Sequence, residues 1–198
     1  MKKTIPGISV VLMSLWLLVS CSANNCPLES TVTCNYGFYD RDGKAVTYGD
    51  AITVSTLLPG TKTQYTYRRL GEVTVVSDTE RADLVDAGYT ETISTVRNDT
   101  VLANQLTNAS TMKLPMKYYS ESDTLILSYA SISRKDTLYI AHESYTHVEL
   151  PECGSHRFHH LKQIRNTDAA IDHTEIVEPE VNYKGLENIR IYFNGSAE

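Results

Sequence analysis

The sequence predicts an all-β fold, an antiparallel β-sandwich of immunoglobulin-like type with about eight strands and at most one short helix, with a twisted barrel as the alternative. Three observations predict it. Thirteen Tyr stand against three Phe among many Thr and Val, a composition that suits pleated, half-buried surfaces. Apolar and polar residues alternate with period two over short stretches. Turn residues separate those stretches at close spacing, and a helical period is almost absent.

The elements follow in chain order. Val32, Cys34, Tyr36 and Phe38 share one face of a first strand, with Thr31, Thr33, Asn35 and Gly37 opposite. Asp40-Arg41-Asp42-Gly43 reads as a turn. Ile52, Val54 and Thr56 alternate next, ahead of a break at Pro59-Gly60, and Val73 and Val75 mark another strand. Asp78 to Gly88 is the one helix candidate, capped by Asp78 and stopped by Gly88. A strand over Thr90–Val96 runs to a turn at Asn98-Asp99, and Leu114-Pro115 marks an edge strand, because proline cannot donate to a central ladder. Leu125, Leu127 and Tyr129 alternate, as do Leu138, Ile140 and His142, and then Val148 and Leu150. Asn182-Tyr183-Lys184-Gly185 is a hairpin turn feeding a last strand with Ile189, Ile191 and Phe193 on one face.

The first 21 residues carry an address. Lys2 and Lys3 precede an apolar run from Ile5 to Val19, which closes on Leu18-Val19-Ser20-Cys21, a bacterial lipobox. The run is too short for a spanning helix, which needs about 20 apolar residues. The chain therefore divides into a signal peptide over 1–20, a lipidated tether over 21–30 beginning at Cys21, and one domain over 31–198. Several acyl chains on Cys21 anchor the protein to the membrane stably, where one would hold reversibly. By analogy with better-known envelopes, Ser22 after the lipidated cysteine favours the outer membrane. Asn24, Asn25 and Cys26 bring no acidic run of the kind that directs export to the cell surface, which favours the periplasmic face.

Net charge is −6, and loss of Lys2 and Lys3 with the signal takes it to −8. So acidic a chain, without a basic stripe, has no electrostatic reason to bind nucleic acid. No nucleophile elbow, phosphate loop or zinc-protease helix motif occurs, so no catalytic residue and no cofactor is expected. Cys153, His156, His159 and His160 form the one cluster of metal-ligand types. A second ligand pair is missing, and consecutive His159 and His160 point to opposite faces of a strand, so no metal is expected there. Asp40-x-Asp42-Gly43 lacks the glutamate of a calcium loop, with Ala51 in its place. Asp precedes Thr at Thr100, Thr124 and Thr137, each followed by an apolar residue, the pattern of O-glycan acceptors in some envelopes. The same dipeptide arises where Asp ends a turn and a β-branched residue begins a strand.

Three segments carry a family likeness: Cys26-Pro27-Leu28 leading to Tyr36-Gly37-Phe38-Tyr39; Thr146-His147-Val148-Glu149-Leu150-Pro151-Glu152-Cys153-Gly154; and Val181-Asn182-Tyr183 with Glu187-Asn188-Ile189-Arg190-Ile191-Tyr192-Phe193. Together they resemble a family of small lipoproteins of unknown function from Bacteroides and related Bacteroidota. The resemblance implies an outer-membrane lipoprotein without assigned activity, and an outer-membrane β-barrel protein as partner. It also implies one cysteine near the mature N-terminus and one before a late glycine, which are Cys26 and Cys153 here. The residues agree. Cys34 sits in the apolar register, a small buried hydrophobe, whereas Cys26 and Cys153 lie beside Pro27 and Gly154 in loops of an oxidising compartment. A Cys26–Cys153 disulfide closes a long loop, worth about 4–5 kcal/mol in the chain-entropy model.

The functional expectation is a non-enzymatic outer-membrane lipoprotein with a docking, scaffolding or assembly role beside a β-barrel protein. Its alternative is a glycan-binding envelope lipoprotein using surface Tyr, and a third reading is a metal-dependent hydrolase built on the late histidines. A docking protein exposes apolar side chains. A glycan binder exposes coplanar aromatics in a groove, and a hydrolase brings the histidines together.

Overall fold

The computed structural model describes residues 32–77, 84–148 and 154–195. Residues 1–31, which include the expected signal peptide and tether with Cys21 and Cys26, and Cys153 lie outside the described residues. Those described form two β-sheets and, among them, one 3-10 turn at Val85–Ala87. Eleven strands follow in order: β1 (Cys34–Tyr39), β2 (Ile52–Arg69), β3 (Glu72–Ser77), β4 (Thr90–Leu106), β5 (Thr111–Leu114), β6 (Ser122–Tyr129), β7 (Lys135–Val148), β8 (Ser155–Asn166), β9 (Ile171–Ile176), β10 (Glu180–Val181) and β11 (Ile189–Phe193). The smaller sheet has the order β5-β1-β11-β9. The larger runs β10-β8-β7-β6-β2-β3, with β4 also paired to β2.

The alternation read from the sequence builds the core. Tyr36, Phe38, Leu114, Ile189, Ile191 and Phe193 from the smaller sheet bury against Ile52, Val54, Leu125, Leu127, Leu138, Ile140 and Leu161 from the larger. Each such side chain contributes about 1.5–3 kcal/mol by leaving water. A Cβ at Gly37 would meet Glu187 Oε2 at 1.9 Å, so any other residue there would displace that carboxylate. That carboxylate accepts the Tyr39 hydroxyl at 3.0 Å and Arg190 Nε at 2.8 Å. Asn188, buried, accepts the Asn35 N–H and donates to the carbonyls of Glu178 and Glu180. Conspicuous residues of the first and last family-like segments thus lock β1 to β11, and their work is structural.

The structure corrects several expectations. The described residues form eleven strands rather than about eight, and β1 pairs with β11 in parallel. Pro59-Gly60 and Asn98-Asp99 do not end strands. They face each other across a bulge, where Leu57 pairs with Asp99 and Thr61 with Arg97, so β2 and β4 continue past them. Gly60, at φ 82, supplies the left-handed conformation the bulge needs. The Asn182–Gly185 turn exists, but it carries the chain from one sheet to the other rather than closing a hairpin. Of the expected helix, the described part is the 3-10 turn ending at Gly88, φ 83. The Asp40 turn and the β5 edge strand form as expected, with Asp40 Oδ1 accepting the N–H groups of Asp42 and Lys44.

The two ends of the sandwich differ. At one, Asp136 is fully buried and accepts hydrogen bonds from the Tyr129 and Thr167 hydroxyls and the backbone N–H groups of Ala169, Ala170 and Ile171. At the other, the register takes β7 past the start of β6, because Ser122 pairs with Ala141 and β7 runs on to Val148. In the same direction β2 runs on past its pairing with β6, which ends at Thr56–Leu125. There β3 and β4 flank it over Gln64–Arg69, forming a three-stranded arm.

Candidate functional site

The end from which the arm leaves holds the polar groups. On β7 the inward stripe Leu138, Ile140 changes to His142 and Ser144, and on β8 Leu161 gives way to His159, Arg157 and Ser155. The register sets Ser144 against His159 and Thr146 against Arg157. His142, His159 and Asp123 are buried. Ser144 Oγ lies 3.2 Å from His142 Nδ1 and 2.8 Å from His159 Nδ1. His142 Nε2 lies 3.2 Å from Asp123 Oδ2, outside hydrogen-bond geometry. The Lys117 N–H donates to the same carboxylate oxygen at 3.2 Å. Burial, and then the charges of His142 and Arg157, push His159 down to about 4, with Asp123 acting the other way. Cys34 begins the adjacent β1. Burial raises its thiol to about 12, and a hydrogen bond with Tyr36 acts in the opposite sense.

A pocket of about 290 Å³ opens beside this cluster, lined by Val32, Met116, Tyr118, Ser155, His156, Arg157 and His159. Val32, where the chain enters the fold, and Ser155, where β8 begins, therefore stand at one mouth.

The arm is the other feature. Arg69 pairs with Glu72 across a two-residue turn, Leu70-Gly71, with both residues at positive φ, 48° and 90°. Leu70 is 96% exposed. Val73, Val75, Val85 and Ile93 are exposed along the arm. Tyr67 is buried within it and donates its hydroxyl to Glu91 at 2.6 Å. Arg69 hydrogen-bonds the Ala87 carbonyl, and the Tyr89 hydroxyl donates to Glu72 at 2.5 Å, which ties the Val85–Ala87 turn to the hairpin.

The late histidines separate as strand geometry requires. His159 faces inward, whereas His160 contacts Glu180 on the other face, Nδ1 to Oε1 at 2.5 Å. Among the described residues no three or more His, Cys, Asp or Glu side chains converge to hold a metal. Thr100 is exposed on β4, while Thr124 and Thr137 are half-buried in strands, behind aspartates engaged in the interior. The exposed Tyr118 and Tyr119 rings are inclined at 69°, so this pair makes no flat platform for a sugar. Among the described residues no helix is long and apolar enough to cross a membrane. The Ser144–His142–Asp123–His159 cluster was not singled out from sequence. The signal was polar residues continuing an apolar strand stripe, at His142 and Ser144.

No curated protein and no solved structure shows significant similarity to the chain. A family model described as a family of unknown function, DUF6452, matches residues 90–193, from the first residue of β4 to the last of β11. That is more than half of the sequence, and the chain belongs to this family of unknown function, DUF6452.

Proposed function

We propose that this protein is a non-enzymatic lipoprotein of the outer membrane, anchored through Cys21 on the periplasmic face, that docks on a membrane-embedded β-barrel protein in a scaffolding or assembly role. One observation carries the reading: Leu70, nearly fully exposed and in a left-handed conformation, tips an arm on the same end of the fold as Val32, the described residue nearest in sequence to the proposed anchor. An unfavourable backbone conformation held at an exposed apolar tip is better explained by contact than by stability.

Lengths agree with this reading. From Gln64 to Arg69 the arm's central strand extends about 20 Å at ~3.3 Å per residue. The chain from Cys21 to Val32 spans at most about 40 Å, and a Cys26–Cys153 disulfide would shorten that leash. Among the described strands β4 pairs with β2 alone, and its outer edge is the place where a partner itself built of strands would add.

The test is a photo-crosslinker placed at Leu70 in the lipidated protein within its own envelope. Crosslinks to an integral β-barrel protein are expected, and are lost in Cys21→Ala, which should leave the membrane fraction. A Cys21→Ala protein that stays with outer membranes, alongside a wild type lacking acyl mass, refutes the anchor. Crosslinks to soluble proteins alone refute the docking role.

A further inference from the structure

We infer that the pocket at the mouth of the sandwich is a binding site for a small organic acid carrying a hydrogen-bond donor next to its carboxylate. Arg157 is the first reason. Its Nη1 donates to Thr146 Oγ1 at 3.3 Å and its Cζ stands 5.5 Å from the Tyr118 ring centroid. Its Nε is buried without a hydrogen-bond partner, and no described carboxylate forms an ion pair with it. A guanidinium fixed on an aromatic ring with a donor unused is prepared for a planar anion, which a carboxylate satisfies through two parallel bonds.

The second reason is the order of protons behind the pocket. The Ser144 hydroxyl donates to the Ser120 carbonyl at 3.5 Å. Its oxygen then accepts from His159 Nδ1–H at 2.8 Å, which leaves His159 Nε2 with its lone pair. His159 holds one ring proton at neutral pH, since burial keeps it uncharged. The chain Ser120–Ser144–His159 thus presets His159, a pocket-lining residue, as an acceptor two positions along the same strand from the cation Arg157. Cation and acceptor side by side select a carboxylate with an adjacent donor, such as an α-hydroxy acid. Val32 and Met116 supply apolar wall for the remainder of the ligand.

Lactate, propionate and propane-1,2-diol test the assignment by NMR titration of the folded protein. Propionate lacks the hydroxyl and the diol lacks the carboxylate. Lactate should shift resonances of the pocket residues saturably, propionate should bind more weakly, and the diol should not bind. Arg157→Gln should weaken lactate about tenfold, the loss expected for a charged hydrogen bond. Ser144→Ala keeps the imidazole but frees its tautomer, and should shrink the preference for lactate over propionate. Spectra of both variants without ligand report whether they fold; if Ser144→Ala does not, the lactate-to-propionate ratio in the wild type decides. Equal binding of lactate and diol, equal binding of lactate and propionate, or an unchanged affinity in Arg157→Gln overturns the inference. So does inorganic sulfate binding as tightly as lactate, which would mark a plain anion site.

Discussion

The Tyr129 hydroxyl donates to Asp136 Oδ2 at 2.8 Å, and both residues belong to the interior. Asp136 takes four further donors, three of them backbone N–H groups from Ala169 to Ile171. The carboxylate thereby closes the turn between β8 and β9 against the start of β7. A buried carboxylate is tolerated when its lone pairs are filled in this way.

Removing it should therefore be severe. Asp136→Ala strands the Tyr129 hydroxyl and three amides away from water, at about 3 kcal/mol or more. Asp136→Asn, which keeps acceptor capacity on one oxygen, should lose less. Urea denaturation measures both. An alanine variant within about 1 kcal/mol of wild type would mean that water enters and replaces the carboxylate.

The His159 imidazole should leave a mark on stability against pH. Its folded-state value is depressed to about 4, below the ordinary 6.5, chiefly by burial. Between these values the unfolded chain binds a proton that the native state does not. Stability then rises with pH across that window and falls as pH drops from about 6.5 to about 4, by an amount on the order of 2–3 kcal/mol. Glu180 is depressed by its contact with His160, and loses its contribution lower in the acid range, as carboxylates protonate. His159→Gln should flatten the slope of unfolding free energy between pH 6.5 and 4. An equal slope in both proteins would show that His159 titrates normally.

How far the sequence reached depended on periodicity. Strands whose stripes alternate cleanly, such as Leu125-Leu127-Tyr129 and Ile189-Ile191-Phe193, were legible because one face is core and the other is not. Pro59-Gly60 and Asn98-Asp99 misled because turn chemistry and bulge chemistry use the same residues, and only the pairing partner distinguishes them. The arm was illegible for a related reason. Val73 and Val75 mark a strand, and a strand forms there, but both are exposed, since local alternation does not reveal whether a second sheet lies above. Asp123 lies 19 residues before His142 and 36 before His159 in the chain. Only the adjacency of β6, β7 and β8 brings them together.

Cys34 was legible from its register, and its chemistry follows. It is free and enclosed by the core, with its thiol raised to about 12 by burial. The thiolate is the reactive form, so alkylation of the native protein should leave the Cys34 peptide unmodified in a mass map. The same reagent in denaturant should modify it fully. Rapid labelling without denaturant would show that the end of the sandwich at β1 opens readily.

The tip of the arm offers a test in which stability and function move in opposite directions. A two-residue hairpin turn with positive φ at both positions favours Asn-Gly, and here the first position is Leu70, at φ 48. A side chain with a branched aliphatic body gains nothing there from the turn. It is 96% exposed, so it gains nothing from burial within the described fold either. Leu70→Asn should relieve the backbone at no loss of core and raise stability by about 0.5–1 kcal/mol. If the apolar tip exists to dock, the same substitution should weaken recovery of the membrane partner from native envelopes. Denaturation and pull-down on one pair of proteins give both numbers. A variant that is more stable and recovers the partner undiminished would remove Leu70 from the interface. A variant that loses the partner only because it unfolds would show itself in the denaturation curve.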